Sequence, residues 1–140
     1  METTLPLEAE ALIPHRLPIR MVDRLLQVDG KNGVVEALVS SESPLVCSDG
    51  RLDDVVLAEL MAQAYAAIKG YCDKLEKIPA KQGFLVGIKK VERLLSAQAG
   101  DRLRIKVNTM AELGDFSVAE GEVWRDDDLL AKGEIKVWAQ

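Results

Sequence analysis

The chain has 140 residues, 48% of them hydrophobic and 29% charged, and a formal charge of −5 from 18 basic and 23 acidic side chains. That supplies a core and a charged surface for one ordinary domain at 1–140, and the absence of a Lys/Arg stripe argues against nucleic acid as a partner. One histidine and two cysteines without metal-ligand spacing exclude a His-rich zinc site, so no metal is expected.

The opening METTLPLEAEALIP has no basic stretch ahead of an apolar one and is not read as a signal peptide, so a cytoplasmic protein with free Cys47 and Cys72 is expected. Residues 5–13 read as a short helix ended by Pro14. Residues 19–28 and 34–40 read as strands joined through Asp29-Gly30-Lys31-Asn32-Gly33, a hairpin signal. Residues 41–52 form a polar loop. Asp53 or Asp54 then caps a helix that runs to about residue 75 and tolerates Gly70. After a loop at 77–83 the pattern changes to strands at 84–95, 101–112, 116–126 and 128–138. The alternation of Leu103, Ile105 and Val107 with charged neighbours marks one buried and one wet face.

The helix carries the most information. Between residues 55 and 68 it reads VVLAELMAQAYAAI, and Glu59 is its only charged residue. A helix apolar on nearly every side must be covered. A carboxylate within it costs free energy unless paired, hydrogen-bonded or protonated. Glu59 is therefore the first candidate for chemistry, expected to lie hidden at a seam between subunits; a structural pairing with Arg16, Arg51 or Lys89 is the competing reading. Gln63, one turn further on the same face, is placed to orient it. His15 is the only imidazole available as a base. Cys47 as a nucleophile and Asp49 as a base in a thioesterase-like variant are weaker readings. The helix is too short and too flanked by charge to span a membrane. No GxGxxG, P-loop or GxSxG motif is present.

A short helix, two strands, a long apolar helix and three or four antiparallel strands make an α+β architecture, a curved antiparallel sheet wrapped around one central helix. This order, with several motifs, resembles the hotdog fold of the FabZ-type 3-hydroxyacyl-acyl-carrier-protein dehydratases. Ile13-Pro14-His15-Arg16-Leu17-Pro18, continuing to Met21-Val22-Asp23-Arg24, resembles the family's L-P-H-R-x-P-x-x-x-V-D-R opening. Glu59-Leu60-Met61-Ala62-Gln63-Ala64 resembles its E-A-M-A-Q-A helix, Phe84-Leu85-Val86-Gly87-Ile88 its F-A-G-I strand, and Ala99-Gly100-Asp101 its P-G-D turn. The family's G-H-F-P histidine has no counterpart: residues 44–53 contain no histidine. In this the chain resembles a shorter, divergent branch associated with aryl-polyene-type clusters.

The resemblance implies removal of water from a 3-hydroxyacyl thioester carried on phosphopantetheine, with no cofactor of the protein's own. It implies Glu59 as the acid, facing a histidine from the other subunit, with Phe84, Val86 and Gly87 lining an acyl tunnel and Gln63 beside the acid. It implies acyl carrier protein as a partner, met by Arg16, Arg20 and Arg24 or by Lys89, Lys90 and Arg93. It also implies a homodimer or larger homo-oligomer, or a heterodimer with a second hotdog protein. Two alternatives stand beside the dehydratase: a catalytically reduced partner subunit or acyl-binding protein, and an acyl thioesterase.

Overall fold

The structure, a computed structural model, describes residues 4–16, 20–44, 46–79 and 83–139, with Asp54 and Phe84 described by backbone alone. Leu17 and Pro18 of the opening motif, Ile19 at the start of the first expected strand, Leu45, and residues 80–82 of the second loop lie outside these.

Among the described residues, seven strands and one long helix follow in order: β1 (Leu7–Glu8), β2 (Arg24–Asp29), β3 (Asn32–Leu38), α1 (Asp54–Leu75), β4 (Gly83–Arg93), β5 (Arg102–Leu113), β6 (Phe116–Arg125) and β7 (Asp128–Ala139). They form one antiparallel sheet in the order β1-β2-β3-β5-β6-β7-β4. This is the expected α+β arrangement, the helix packed across the sheet and touching β2 through β7. Among the described residues, no helix is long and apolar enough to cross a membrane.

The expected helix over residues 5–13 is not there. Leu7 and Glu8 pair with Leu25 and Arg24 as β1, and only Ala9–Ala11 turns, as a single 3-10 turn. An isolated helix of nine residues is too short to hold itself in water. Here the Ala9 N–H goes instead to the Asp23 carbonyl at 2.8 Å, so sheet pairing replaces helical bonding. The expected hairpin forms as β2 and β3, closing at Asp29↔Asn32 with Gly30 at φ 63°.

Helix α1 begins where the sequence places its cap: the Asp53 carboxylate accepts the Val55 N–H at 3.3 Å. Its sheet-facing side, Leu57, Leu60, Met61, Ala64 and Ile68, is buried against Leu103, Ile105, Ala119, Val123 and Ile135. Each large side chain so buried contributes about 1.5–3 kcal/mol. The predicted alternation in β5 is met in full: Leu103, Ile105 and Val107 point inward.

Two glycines set how closely the layers approach. At Gly121 of β6 a Cβ would strike the Met61 side chain, so the helix lies directly on the strand there. At Gly70 a Cβ would run into the Leu12 carbonyl oxygen. Gly70 is thus more than a tolerated irregularity: it is where the N-terminal arm, residues 9–16, crosses the back of α1.

Candidate active site

That crossing makes a groove. Its floor is the face of α1 turned away from the sheet: Glu59, Ala62, Ala66 and Gly70. One wall is the N-terminal arm with Leu12, Ile13 and His15; the other is the start of β4 and the end of β7, with Gly83, Leu85, Val137 and Ala139. The cleft holds about 780 Å³, within the ~300–1,000 Å³ range of small-molecule sites. Small residues on the floor leave the space; Tyr65, Lys69 and Asp73 close its far end. Burial pushes the Tyr65 hydroxyl up. Burial also works against the Lys69 ammonium, but the Asp73 carboxylate, 3.1 Å away, outweighs it and holds the amine above its ordinary value.

The arm is pinned by its own hydrogen bonds. Leu12 and Ile13 N–H both donate to the Ala9 carbonyl at 2.8 and 3.0 Å. The Arg16 guanidinium donates to the Ile13 and His15 carbonyls at 2.7 and 2.9 Å. Lys74 on α1 donates to the Ala11 carbonyl. Held this way, the arm carries His15 over the helix, with Nε2 3.8 Å from Glu59 Oε1. That separation is inside ion-pair reach and beyond hydrogen-bond length. Imidazole and acid thus meet within one chain.

Gln63 completes the cluster. It is fully buried, and its Oε1 accepts the Met21 N–H at 2.7 Å. A backbone N–H can only donate, so this bond decides which end of the amide is which. The amide nitrogen is left to donate to Glu59 Oε1 at 3.1 Å. His15 Nδ1 is buried with no hydrogen-bond partner among the described residues. A proton there would leave a donor unsatisfied, at about 1–3 kcal/mol.

Glu59 itself is not sealed from solvent in this chain. Its side chain is 35% exposed and that of His15 25%, because the groove is open on the side away from the sheet. The expectation of an acid hidden at a seam between subunits concerns an assembly, while this exposure is that of one chain, whose Ala62 and Ala66 line an open floor. The remaining candidates scatter. Val86 is half exposed and faces away from the groove, while Gly83 and Leu85 face in; a register shift between Leu85 and Gly87 turns the strand there. Gly87 packs toward Lys136, and Phe84 is described only through its pairing with Trp138. Cys47 is exposed in the loop before α1 and lines no wall of the groove. Asp49 pairs with Arg51 at 2.6 Å, and hydrogen bonds from the Arg51 backbone and side chain hold its carboxyl below the ordinary range. Among the described residues, no group of three or more His, Cys, Asp or Glu side chains could hold a metal. Gly83 and Leu85 escaped sequence reasoning because the bulge that sets the strand's facing has no signature of its own. The Met21 backbone N–H is invisible in sequence altogether.

A long helix laid across a seven-stranded antiparallel sheet defines a hotdog fold. The chain belongs to the ApeP-like family, described as ApeP dehydratase, which it matches over residues 7–140. It is 33% identical over 132 residues to the 3-hydroxyacyl-(acyl-carrier-protein) dehydratase FabZ of Natranaerobius thermophilus, covering 91% of this chain and 92% of that one. It is 29% identical over 139 residues to the FabZ of Campylobacter concisus, covering 92% and 93%. Its fold matches the dehydratase heterocomplex ApeI:P from Xenorhabdus doucetiae at a TM-score of 0.89, with 24% identity over 96% of this chain and 91% of that one. It also matches smu.793 from Streptococcus mutans, solved bound to acetyl CoA, at a TM-score of 0.67, with 13% identity over 91% and 94%.

Proposed function

We propose that the protein removes water from 3-hydroxyacyl thioesters carried on phosphopantetheine, with Glu59 and His15 as the catalytic pair and Gln63 orienting the acid. The observation that carries this reading is the chain's one imidazole lying 3.8 Å from Glu59, at the floor of an open groove. Dehydration needs a proton taken beside the thioester carbonyl and one delivered to the hydroxyl on the next carbon, by groups within a few ångströms of each other. The groove is long and mainly apolar, suited to an acyl chain. The carrier arm brings the thioester, and the protein needs no cofactor of its own. The relatives named FabZ dehydrate carrier-bound substrates, which favours acyl carrier protein over coenzyme A. Arg16, Arg20 and Arg24 are engaged with Glu10, Asp23 and Glu36, so Lys89 and Lys90, exposed on β4, are the better placed cations to meet an acidic carrier. A cytoplasmic setting goes with this reading and with two unpaired cysteines.

A second reading is favoured by a specific pair of observations: the fold's likeness to a dehydratase heterocomplex and the missing G-H-F-P histidine. In it, the chain works beside a second hotdog subunit that closes the groove. Strand β4, at the edge of the sheet and exposing Val86 and Ile88, offers the place for a partner, either another copy or a different hotdog protein.

The test is to supply a 3-hydroxyacyl carrier protein to the purified chain, alone and mixed with a second hotdog subunit, and to follow 2-enoyl product and free thiol. Enoyl product from the chain alone supports the first reading; product only on mixing supports the second. Thiol release without water loss makes the protein a thioesterase. No product in any arm sinks the dehydratase assignment.

A further inference from the structure

The hydrogen bonds around Glu59 fix more than its position. They run in one direction from a donor that cannot be reversed. The Met21 N–H occupies Gln63 Oε1, so the amide nitrogen of Gln63 faces Glu59 Oε1, which must accept. The same Oε1 is the atom that His15 Nε2 faces at 3.8 Å. A bare Nε2 would set its lone pair against an oxygen already acting as an acceptor; an Nε2–H presents a positive edge to it. The other ring nitrogen repeats the preference. Nδ1 is buried without a hydrogen-bond partner among the described residues, so a proton there would be stripped of water with nothing in exchange. Both ends of the ring select the same form.

We propose that His15 is a neutral imidazole that keeps its proton on Nε2, and that it serves the reaction as a hydrogen-bond donor and not as the base. This rests on the dehydratase reading and deepens it. Accepting a proton at Nε2 requires the neutral ring to carry its hydrogen on Nδ1, and the imidazolium carries one there as well. Both forms place an N–H where none of the described residues offers an acceptor. Glu59 is then left to move both protons. Its carboxylate takes the proton from C2, the C2–C3 double bond forms, and the C3–O bond breaks. The departing hydroxide takes that same proton back from Glu59 and leaves as water, so the carboxylate is regenerated. Glu59 Oε2, the oxygen that Gln63 does not occupy, is the atom for this work. The His15 Nε2–H stays on its nitrogen and donates to the hydroxyl oxygen as charge develops on it, a preorganised donor of the kind that stabilises developing oxyanions. The 3.8 Å between Nε2 and Oε1 is too long for the two to satisfy each other, which leaves the Nε2–H to donate to an oxygen lying beside the pair.

A single histidine makes the tautomer directly readable. Two-bond proton–nitrogen correlations on the uniformly ¹⁵N-labelled protein at neutral pH contain one imidazole in the folded chain. The expected pattern has the hydrogen on Nε2 and a bare Nδ1. An Nδ1–H form or an imidazolium would overturn the proposal. This readout uses the protein without substrate, so it stands apart from whether the substrate class is right. A second measurement uses turnover. His15→Gln retains an amide N–H near the Nε2 position but cannot shuttle a proton, and should keep kcat within ~10-fold of wild type; His15→Leu should lose ~10²-fold or more. Equal loss in both variants, with wild type active, would overturn the donor role while leaving the dehydratase reading intact.

Discussion

Glu36 and Glu59 are both carboxylates set into apolar elements, and the molecule treats them oppositely. Glu36, on β3 and 8% exposed, is clamped by Arg24 at 2.8 Å and Arg102 at 3.1 Å. The hydrogen bond from Arg24, joined by the charges of both guanidiniums, holds its carboxyl below the ordinary range. Glu59 meets a neutral amide and an imidazole, and His15 is its only ion-pair contact among the described residues. Arg16 and Arg51, basic residues that could have neutralised it, are turned to Glu10 and Asp49. A carboxylate saturated by permanent cations is fixed in one state and serves the fold. One that faces only groups without permanent charge, at the edge of a groove, stays free to exchange a proton.

The sharpest way to break this contrast is at Glu59. Glu59→Gln keeps the shape and the Gln63 contact but removes the ionisable group. It should lower kcat by ~10²–10⁴-fold and leave the urea midpoint where it was. Loss of folding with this variant, or full activity, would put Glu59 in the same class as Glu36.

A smaller effect is expected at Gly70, where the arm that carries His15 crosses α1. Gly70→Ala drives a methyl into the Leu12 carbonyl and should cost about 1–3 kcal/mol of stability, as overpacking does. The arm must shift to accept it, so kcat should fall as well, though Gly70 touches neither reacting group. An alanine here that stabilises the helix, as propensity alone suggests, would show that the arm does not sit against the helix as described.

Much of this was legible in the sequence. Strict alternation marks β5, the Asp-Gly-Lys-Asn-Gly run marks the β2–β3 turn, and one charge in an apolar helix picks out Glu59. These signals are local and periodic, and local chemistry decides them. The N-terminal arm was misread because its fate depends on a partner strand: Leu7 and Ala9 bond to residues 23–25, and no pattern within residues 5–13 records that. The groove on one chain leaves no mark in the pattern either. Ala62 and Ala66 are apolar by composition, yet their smallness leaves room for a cleft. Orientation was out of reach altogether, since the facing of Gln63 is fixed by a backbone N–H at Met21, 42 residues earlier in the chain.

The mildest expectation concerns Glu36 and depends on pH. Its folded carboxyl titrates below its ordinary value of 4.5. The stability it adds is therefore fully present above that value and is lost as pH falls through the depressed folded one. Arg24 and Arg102 are 39% and 63% exposed at their side chains, so solvent screens the cluster and the effect near neutrality should be about 1 kcal/mol. Glu36→Gln should lower the unfolding free energy at pH 7 by that amount, seen as a lower urea midpoint. Wild type should lose its advantage as the solution is acidified, because protonation gives it the same uncharged side chain. Urea titrations of both proteins at neutral and acidic pH measure this directly. A gap that persists below the folded titration point would mean that Glu36 acts through shape and hydrogen bonding alone, and that the difference between the two carboxylates is not one of fixed against exchangeable charge.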